Sequence, residues 1–177
     1  MTLRLIPARE APAYRAQILD MMEEWLATGE TIVPYAIRRQ DVHDFPAWCA
    51  SLEQTKPQEG LVPDSTFLCL EEESGQMVGA FNIRHWLNDS LLLNGGHVGD
   101  GVRPSRRRQG IGTRLVALAL EECRKLGIQR VLMVCDRENI ASRKTIERNG
   151  GVLENEVWVD GVLEQRFWID LTGNASL

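Results

Sequence analysis

The sequence predicts a single mixed α/β domain, a twisted central sheet with helices on both faces. Three observations predict it. At 177 residues the chain has the length of one domain and can bury a substantial core. Segments of strand-like and helix-like hydrophobic period follow one another in the order β, α, α, β, β, β, α, β, α, β, β. A glycine-rich strand, a strong helix and a short apolar run succeed one another over residues 95–134. That is the pattern of a β-α-β crossover, and it makes the two strands parallel neighbours or near neighbours.

The elements read in order as follows. Leu3 to Ile6 alternates weakly and is a candidate first strand. From Pro12 to Thr28, Ala16, Ile18, Leu19, Met22, Trp25 and Leu26 fall at helical spacing, with Gly29 as the stop. Asp41 is placed to cap a second helix through Phe45, Trp48, Cys49 and Leu52. Residues 55–64 carry Lys56-Pro57 and Val62-Pro63 and read as loop. Ser65–Leu70 and Met77–Trp86 flank Ser74-Gly75 as a hairpin. Asn88–Asn94 is a connection, and Gly95–Val102 is a strand whose four glycines imply a bulge or close approach of a ligand. Gly110–Lys125 is a helix closed by Leu126-Gly127. Arg130–Val134 has the continuous apolarity of a strand buried on both faces. Ile140–Arg148 is a short helix, and Val152–Val159 and Val162–Ile169 flank Asp160-Gly161, a two-residue hairpin signal. The last few residues are expected to fray.

Composition bounds the function. With 44% hydrophobic and 25% charged residues the chain is globular rather than disordered or fibrous. A formal net charge of -5 argues against binding nucleic acid or anionic membrane through bulk charge. No stretch approaches the length of a membrane span, and the N-terminus lacks the apolar core of a signal peptide. Cys49, Cys69, Cys123 and Cys135 form no C-x-x-C pair, so neither a metal site nor a redox dithiol is expected; reduced thiols fit a cytoplasmic protein. The charge is uneven. Arg103, Arg106, Arg107, Arg108 and Arg114 put +5 and no acid into residues 103–114, so a total of -5 leaves -10 for the rest.

That basic island surrounds the start of the strong helix. A helix N-terminus offers unpaired N–H groups and partial positive charge, Gly110 and Gly112 let an anion approach them, Thr113 adds a hydroxyl, and the arginines add planar donor forks. The P-loop pattern is absent, and the dinucleotide pattern fails because Leu115 stands where its last glycine would be. What is present is R-x-x-G-x-G at Arg107, Gly110 and Gly112.

On these residues the chain resembles the GNAT superfamily of acyl-CoA-dependent N-acyltransferases. The family signature, [QR]-x-x-G-x-[GA] after a strand ending V-x-P, is met by Val102-Arg103-Pro104 and Arg107 to Gly112. A second block at the expected separation has Asn139, Ser142 and Asn149-Gly150. The resemblance covers roughly residues 65–170 and is strongest from Gly95 to Gly151; Gly95–Gly99 through Pro104-Ser105 is similar to a bacterial branch of the family. It implies one N-acetyltransferase domain over 1–177, with residues 65–170 as the acyl-CoA-binding core and residues up to 64 walling the acceptor side. It implies acetyl-CoA as co-substrate, no metal, and a small-molecule or peptide amine as acceptor, with nucleic acid and membrane excluded and a homodimer left open. The backbone from Arg108 through Gln109, Gly110, Ile111 and Gly112 to Thr113 would hold the pyrophosphate, and Arg107 or Arg108 would pair with phosphate. Asp100, Gly101 and Val102 would pair with the pantetheine arm and support the thioester carbonyl. Asn139 would bond the pantetheine or cap its helix, with Ser142 and Lys144 as weaker contacts.

The catalytic groups are less regular. Relatives often place a Tyr where Ile146 stands and a Glu where Gly96 stands. His97 and Asp100 are the nearest ionisable groups, and strand alternation sends them to opposite sides. Either of them, or a water relay, could take the amine proton. Tyr14 and Tyr35 lie outside the core block, and Cys135 lacks a histidine partner and reads as buried structure. Trp25, Tyr35, Trp48 and Trp86 with Glu23 and Glu24 would form an acidic, aromatic wall suited to a cationic amine. The competing reading is a non-catalytic acyl-CoA-binding or regulatory domain of the same fold, for which the missing Tyr and Glu speak.

Overall fold

The computed structural model describes residues 1–173; the fraying expected of the last few residues lies outside them. Strand β1 (Leu3–Pro7) leads through a 3-10 segment at Ala8–Tyr14 into α1 (Arg15–Thr28). Helix α2 (Phe45–Ser51) follows, then the hairpin of β2 (Asp64–Glu71) and β3 (Gln76–Arg84). A short helix α3 (Asp89–Leu93) precedes β4 (Val98–Val102), α4 (Ile111–Lys125) and β5 (Arg130–Asp136). Helix α5 (Ile140–Arg148) and the hairpin of β6 (Val152–Val159) and β7 (Val162–Asp170) complete the chain. Asp160 and Gly161 both take positive φ, as a tight two-residue hairpin requires.

The mixed α/β class predicted from sequence is the class observed. The strands form two sheets, β1-β2-β3-β4 and β5-β7-β6, in which every ladder is antiparallel. The crossover strands β4 and β5 are near neighbours but do not pair along their length. They meet at a single bridge between Gly96 and Met133. Gly96 has φ +65°, and a Cβ on it would overlap the Leu132 carbonyl, so the two chains touch there only because the residue is glycine. The same positive φ at Gly95 and Gly96 delays the start of β4 to Val98.

Helices cover both faces of the first sheet. Leu68, Leu70, Met77 and Ala80 pack with Ile18, Met21, Met22 and Trp25 of α1 and Trp48 of α2. Cys69, Val78, Phe81 and Ile83 pack with Leu115, Val116 and Ala119 of α4 and with Val131 and Met133 of β5. A bulge lets both assignments coexist: Leu70 faces Met77 and Cys69 faces Gly79, which leaves Val78 as the extra residue and inverts the alternation of β3 beyond it.

Three local expectations change. Asp44, not Asp41, caps α2 by accepting from the Ala47 N–H at 3.4 Å, because Pro46 suits the first turn of a helix starting at Phe45. Asn88–Asn94 contains a helical turn capped by the Asn88 side chain, which accepts from Leu91 N–H at 2.9 Å. The glycines of β4 admit the protein's own chain. A Cβ on Gly101 would overlap the Val33 carbonyl and stand 2.8 Å from Trp25. Gly101→Ala is therefore expected to destabilise the fold by about 3 kcal/mol, read as a lower urea midpoint; an unchanged midpoint would show that the Val33 segment yields freely.

Candidate active site

Past the Gly96–Met133 bridge, β4 and β5 diverge and leave a cleft of about 300 Å³. Asp100 and Gly99 line it from β4, Cys135 and Asp136 from β5, and Asn139 and Ser142 from α5. Among the described residues the β4 edge facing it is unpaired. Arg84 N–H donates to the His97 carbonyl at 2.7 Å and Arg103 N–H to the Val78 carbonyl at 2.8 Å. In an antiparallel ladder bonded and non-bonded pairs alternate, so Gly99 and Gly101 bond to β3 while Asp100 and Val102 turn their N–H and C=O groups outward. Of the three residues expected to support the pantetheine arm, Gly101 has its backbone committed to β3.

From Val102 the chain passes through a 3-10 turn at Pro104–Arg106 to Gly110, whose φ of +79° sets it before the first turn of α4. No side chain caps this helix. Among the described residues the N–H groups from Arg108 to Thr113 have no acceptor. Arg108, at φ +61°, is exposed beside them and makes no ion pair among the described residues.

The basic island is largely neutralised within the fold. Arg103 is buried and donates to Asp20 at 2.7 Å and to Glu24 at 2.5 Å. Arg106 pairs with Glu71 at 2.7 Å, and Arg107 with Glu30 at 2.7 Å while lying over the Trp25 ring. Arg114 donates to the Met1 carbonyl. Glu24 also accepts from the Ser105 N–H at 2.7 Å, so α1 holds the loop in place. Of the two candidate phosphate partners, Arg108 has no carboxylate partner among the described residues and Arg107 is engaged. The acidic wall dissolves for the same reason: Glu24 is committed to the loop and Glu23 to His43. Trp25 and Trp48 are fully buried core, and Trp86, half exposed, does not line the cleft.

The two candidate bases separate as alternation requires. His97 is buried, its Nδ1 accepts from the Leu132 N–H at 2.9 Å, and it is absent from the cleft lining. Burial, and then the Arg84 charge, push its pKa down to about 4, so it is a neutral strut between the sheets. Asp100 faces the cleft, and desolvation pushes its carboxyl up to about 6. Cys135 is buried and its thiol is pushed up to about 11 by desolvation, which keeps it protonated and inert at neutral pH. Ile146, at the family's tyrosine position, is packed in the core against α4.

Asn139 caps α5 by accepting from Ser142 N–H at 3.1 Å, and its amide hydrogens have no acceptor among the described residues. Lys144 is exposed and does not line the cleft. Asn149 ties α5 to α4 by donating to the Thr113 carbonyl at 3.1 Å. Sequence reasoning missed Arg84, which lines the cleft; Tyr35, expected in the acceptor-side wall, lines it too. Tyr35 arrives from the N-terminal segment that packs on Gly99 and Gly101 through Val33 and Pro34, and no local motif marks it.

The chain matches the acetyltransferase (GNAT) family over residues 19–151. No curated protein matches it by sequence. Among solved structures it resembles yncA of Salmonella typhimurium, solved with acetyl-CoA as its cofactor, with a TM-score of 0.63 over 99% of this chain and 96% of that one at 17% identity. A point mutant of the spermidine N-acetyltransferase of Vibrio cholerae gives 0.64 over 97% and 96% at 14% identity. The N-acetyltransferase PseH of Campylobacter jejuni, in complex with acetyl coenzyme A, gives 0.57 over 97% and 100% at 12% identity. At these identities the structures speak for the fold alone. The family match spans most of the sequence and includes both glycine-loop and α5 blocks, and the chain belongs to the acetyltransferase (GNAT) family.

Proposed function

We propose that the protein is an N-acetyltransferase that transfers the acetyl group of acetyl-CoA to the primary amine of a small molecule or peptide. The observation that carries this reading is two sets of unused backbone donors among the described residues: the N–H groups of Arg108 to Thr113 at the start of α4, and those of Asp100 and Val102 on the open edge of β4. The first set suits a pyrophosphate, being glycine-lined, uncapped and at the positive end of a helix, with Arg108 beside it. The second suits an extended amide-bearing arm laid against the strand. Similar structures solved with acetyl-CoA support the same choice of donor.

Bound acetyl-CoA would supply a thioester whose acyl carbon is open to attack by an amine. The chain's own residues do the rest. Val102 or Asp100 N–H bonds the acyl oxygen as charge builds there. The Asp100 carboxylate accepts the proton of the attacking amine, since an amine near pKa 10 reaches the cleft mostly as ammonium and a base near 6 is ionised at neutral pH. Asn139 and Ser142 position the arm from the α5 side. With Ile146 in the core, the family's tyrosine position delivers no proton to the leaving thiolate, whose pKa of about 8.5 makes departure without one tolerable.

Thiol release from acetyl-CoA across a panel of primary amines tests the reading. Amine-dependent release is the expected result. Acetyl-CoA binding with no release by any amine would replace it with the non-catalytic acyl-CoA-binding domain.

A further inference from the structure

Arg84 differs from the other partly buried arginines. Arg39, Arg103, Arg106 and Arg166 each bind a carboxylate. Arg84, half-buried at the end of β3, binds none among the described residues. The ladder sets Asp64 directly across from it. That carboxylate is already consumed: Arg39 takes both its oxygens, at 2.8 and 3.1 Å, and the Gln54 N–H adds a third bond at 2.8 Å. The Arg84 side chain lies over Gly99 instead. A Cβ on Gly99 would stand 3.4 Å from both of its terminal nitrogens, so the guanidinium packs against the bare backbone there. Nη1 donates to the Gly95 and Gly96 carbonyls, at 3.1 and 3.4 Å, and Nε and Nη2 have no acceptor among the described residues. Both Arg84 and Gly99, the neighbour of Asp100 in β4, line the cleft. A desolvated cation without a counter-ion is costly to keep, and burial lowers its pKa even against the pull of Asp64.

We propose that Arg84 receives the carboxylate of the acceptor, so that the substrate is an amine of amino-acid size carrying its own carboxylate, and not a polyamine. This rests on the acetyltransferase reading and narrows it. The rest of the cleft agrees with a zwitterion. Asp100 lines the same cleft from β4, and Asp136 and Glu164 face each other further along the β5 wall. The cleft therefore offers carboxylates for an ammonium group and one unpaired guanidinium, with a planar fork that matches a carboxylate. The volume of about 300 Å³ suits a small molecule.

The test is acetyl-CoA-dependent thiol release with the common amino acids as free acids, the same compounds as carboxamides, and putrescine and spermidine. Free acids are expected to exceed their carboxamides in kcat/KM by about a hundredfold or more, because a desolvated guanidinium is left unpaired by the amide. Arg84→Met is expected to erase that preference, mainly through KM, with acetyl-CoA binding by calorimetry unchanged; Arg84→Lys should retain part of it. Carboxamides or polyamines used as well as the acids, or an acid preference that survives in Arg84→Met, would overturn the proposal and leave the acetyltransferase reading standing. No turnover of any amine by wild-type protein that still binds acetyl-CoA would overturn both. The acid-to-amide ratio of the wild type needs no variant, so a failure of Arg84→Met to fold does not remove the test.

Discussion

Gly112→Asp is expected to abolish acetyl-CoA binding without harming the fold. A Cβ at Gly112 meets only Val102 Cγ2 at 3.5 Å and Thr145 Oγ1 at 3.7 Å, ordinary van der Waals separations. The residue sits in the first turn of α4, where a carboxylate stabilises a helix by about 0.3–1 kcal/mol. Thermal stability should therefore hold or rise slightly. The same carboxylate would stand where a pyrophosphate is to bond the N-terminal N–H groups. Two like charges about 4 Å apart near a protein surface repel by roughly 4 kcal/mol, which is about a thousandfold in affinity. Calorimetric titration with acetyl-CoA, set beside a melting curve, reads both halves. Gly112→Ala, which adds the Cβ without the charge, should bind nearly as wild type. Retained affinity in Gly112→Asp would place the phosphates elsewhere on the molecule.

The glycine loop was legible in the sequence because its elements are local: strand, turn and helix start lie within a dozen residues and carry their own punctuation. The antiparallel hairpin at Asp160-Gly161 and the apolar strand at Arg130–Val134 were legible for the same reason. What sequence distance concealed was the use of charge. Arg103 finds Asp20 and Glu24 across 83 and 79 positions, and Arg107 finds Glu30 across 77. The +5 island is thus a property of the string of residues; in the fold three of its arginines face four carboxylates. Anion attraction then depends chiefly on the backbone donors and on Arg108. Pairing between sheets was equally hidden. The β-α-β pattern implies neighbouring strands, but whether they zip together or part after one contact depends on Gly96 and His97 meeting Leu132, which no periodicity encodes. Arg84 escaped because Asp64, its cross-strand partner, had to be seen bound to Arg39 before the arginine could be recognised as unpaired.

Asp100→Asn is expected to lower kcat/KM by about a hundredfold or more, the usual contribution of a positioned base, and at the same time to make the protein more stable at alkaline pH. Both effects come from one desolvated carboxyl whose pKa stands at about 6. Activity of the wild type should rise with pH through that value as the base ionises, and the variant should lose this limb and keep only the dependence set by the amine. The stability sign is opposite. In the unfolded chain the group titrates at about 3.9. Below about pH 4 both states hold the proton and no penalty exists. As pH rises from there, the unfolded state releases its proton first, so folded stability falls until pH passes about 6 and then stays lower. Two units correspond to about 3 kcal/mol, and partial exposure to the cleft reduces that to about 2 kcal/mol. Asparagine imitates the neutral carboxyl and escapes the loss, so Asp100→Asn should melt about 6 °C above wild type at pH 8 and level with it near pH 4. Melting curves at the two pH values and a pH–rate profile together decide the role. A structural aspartate would lose stability on substitution, and a variant with wild-type activity at pH 8 would return the proton to a water relay.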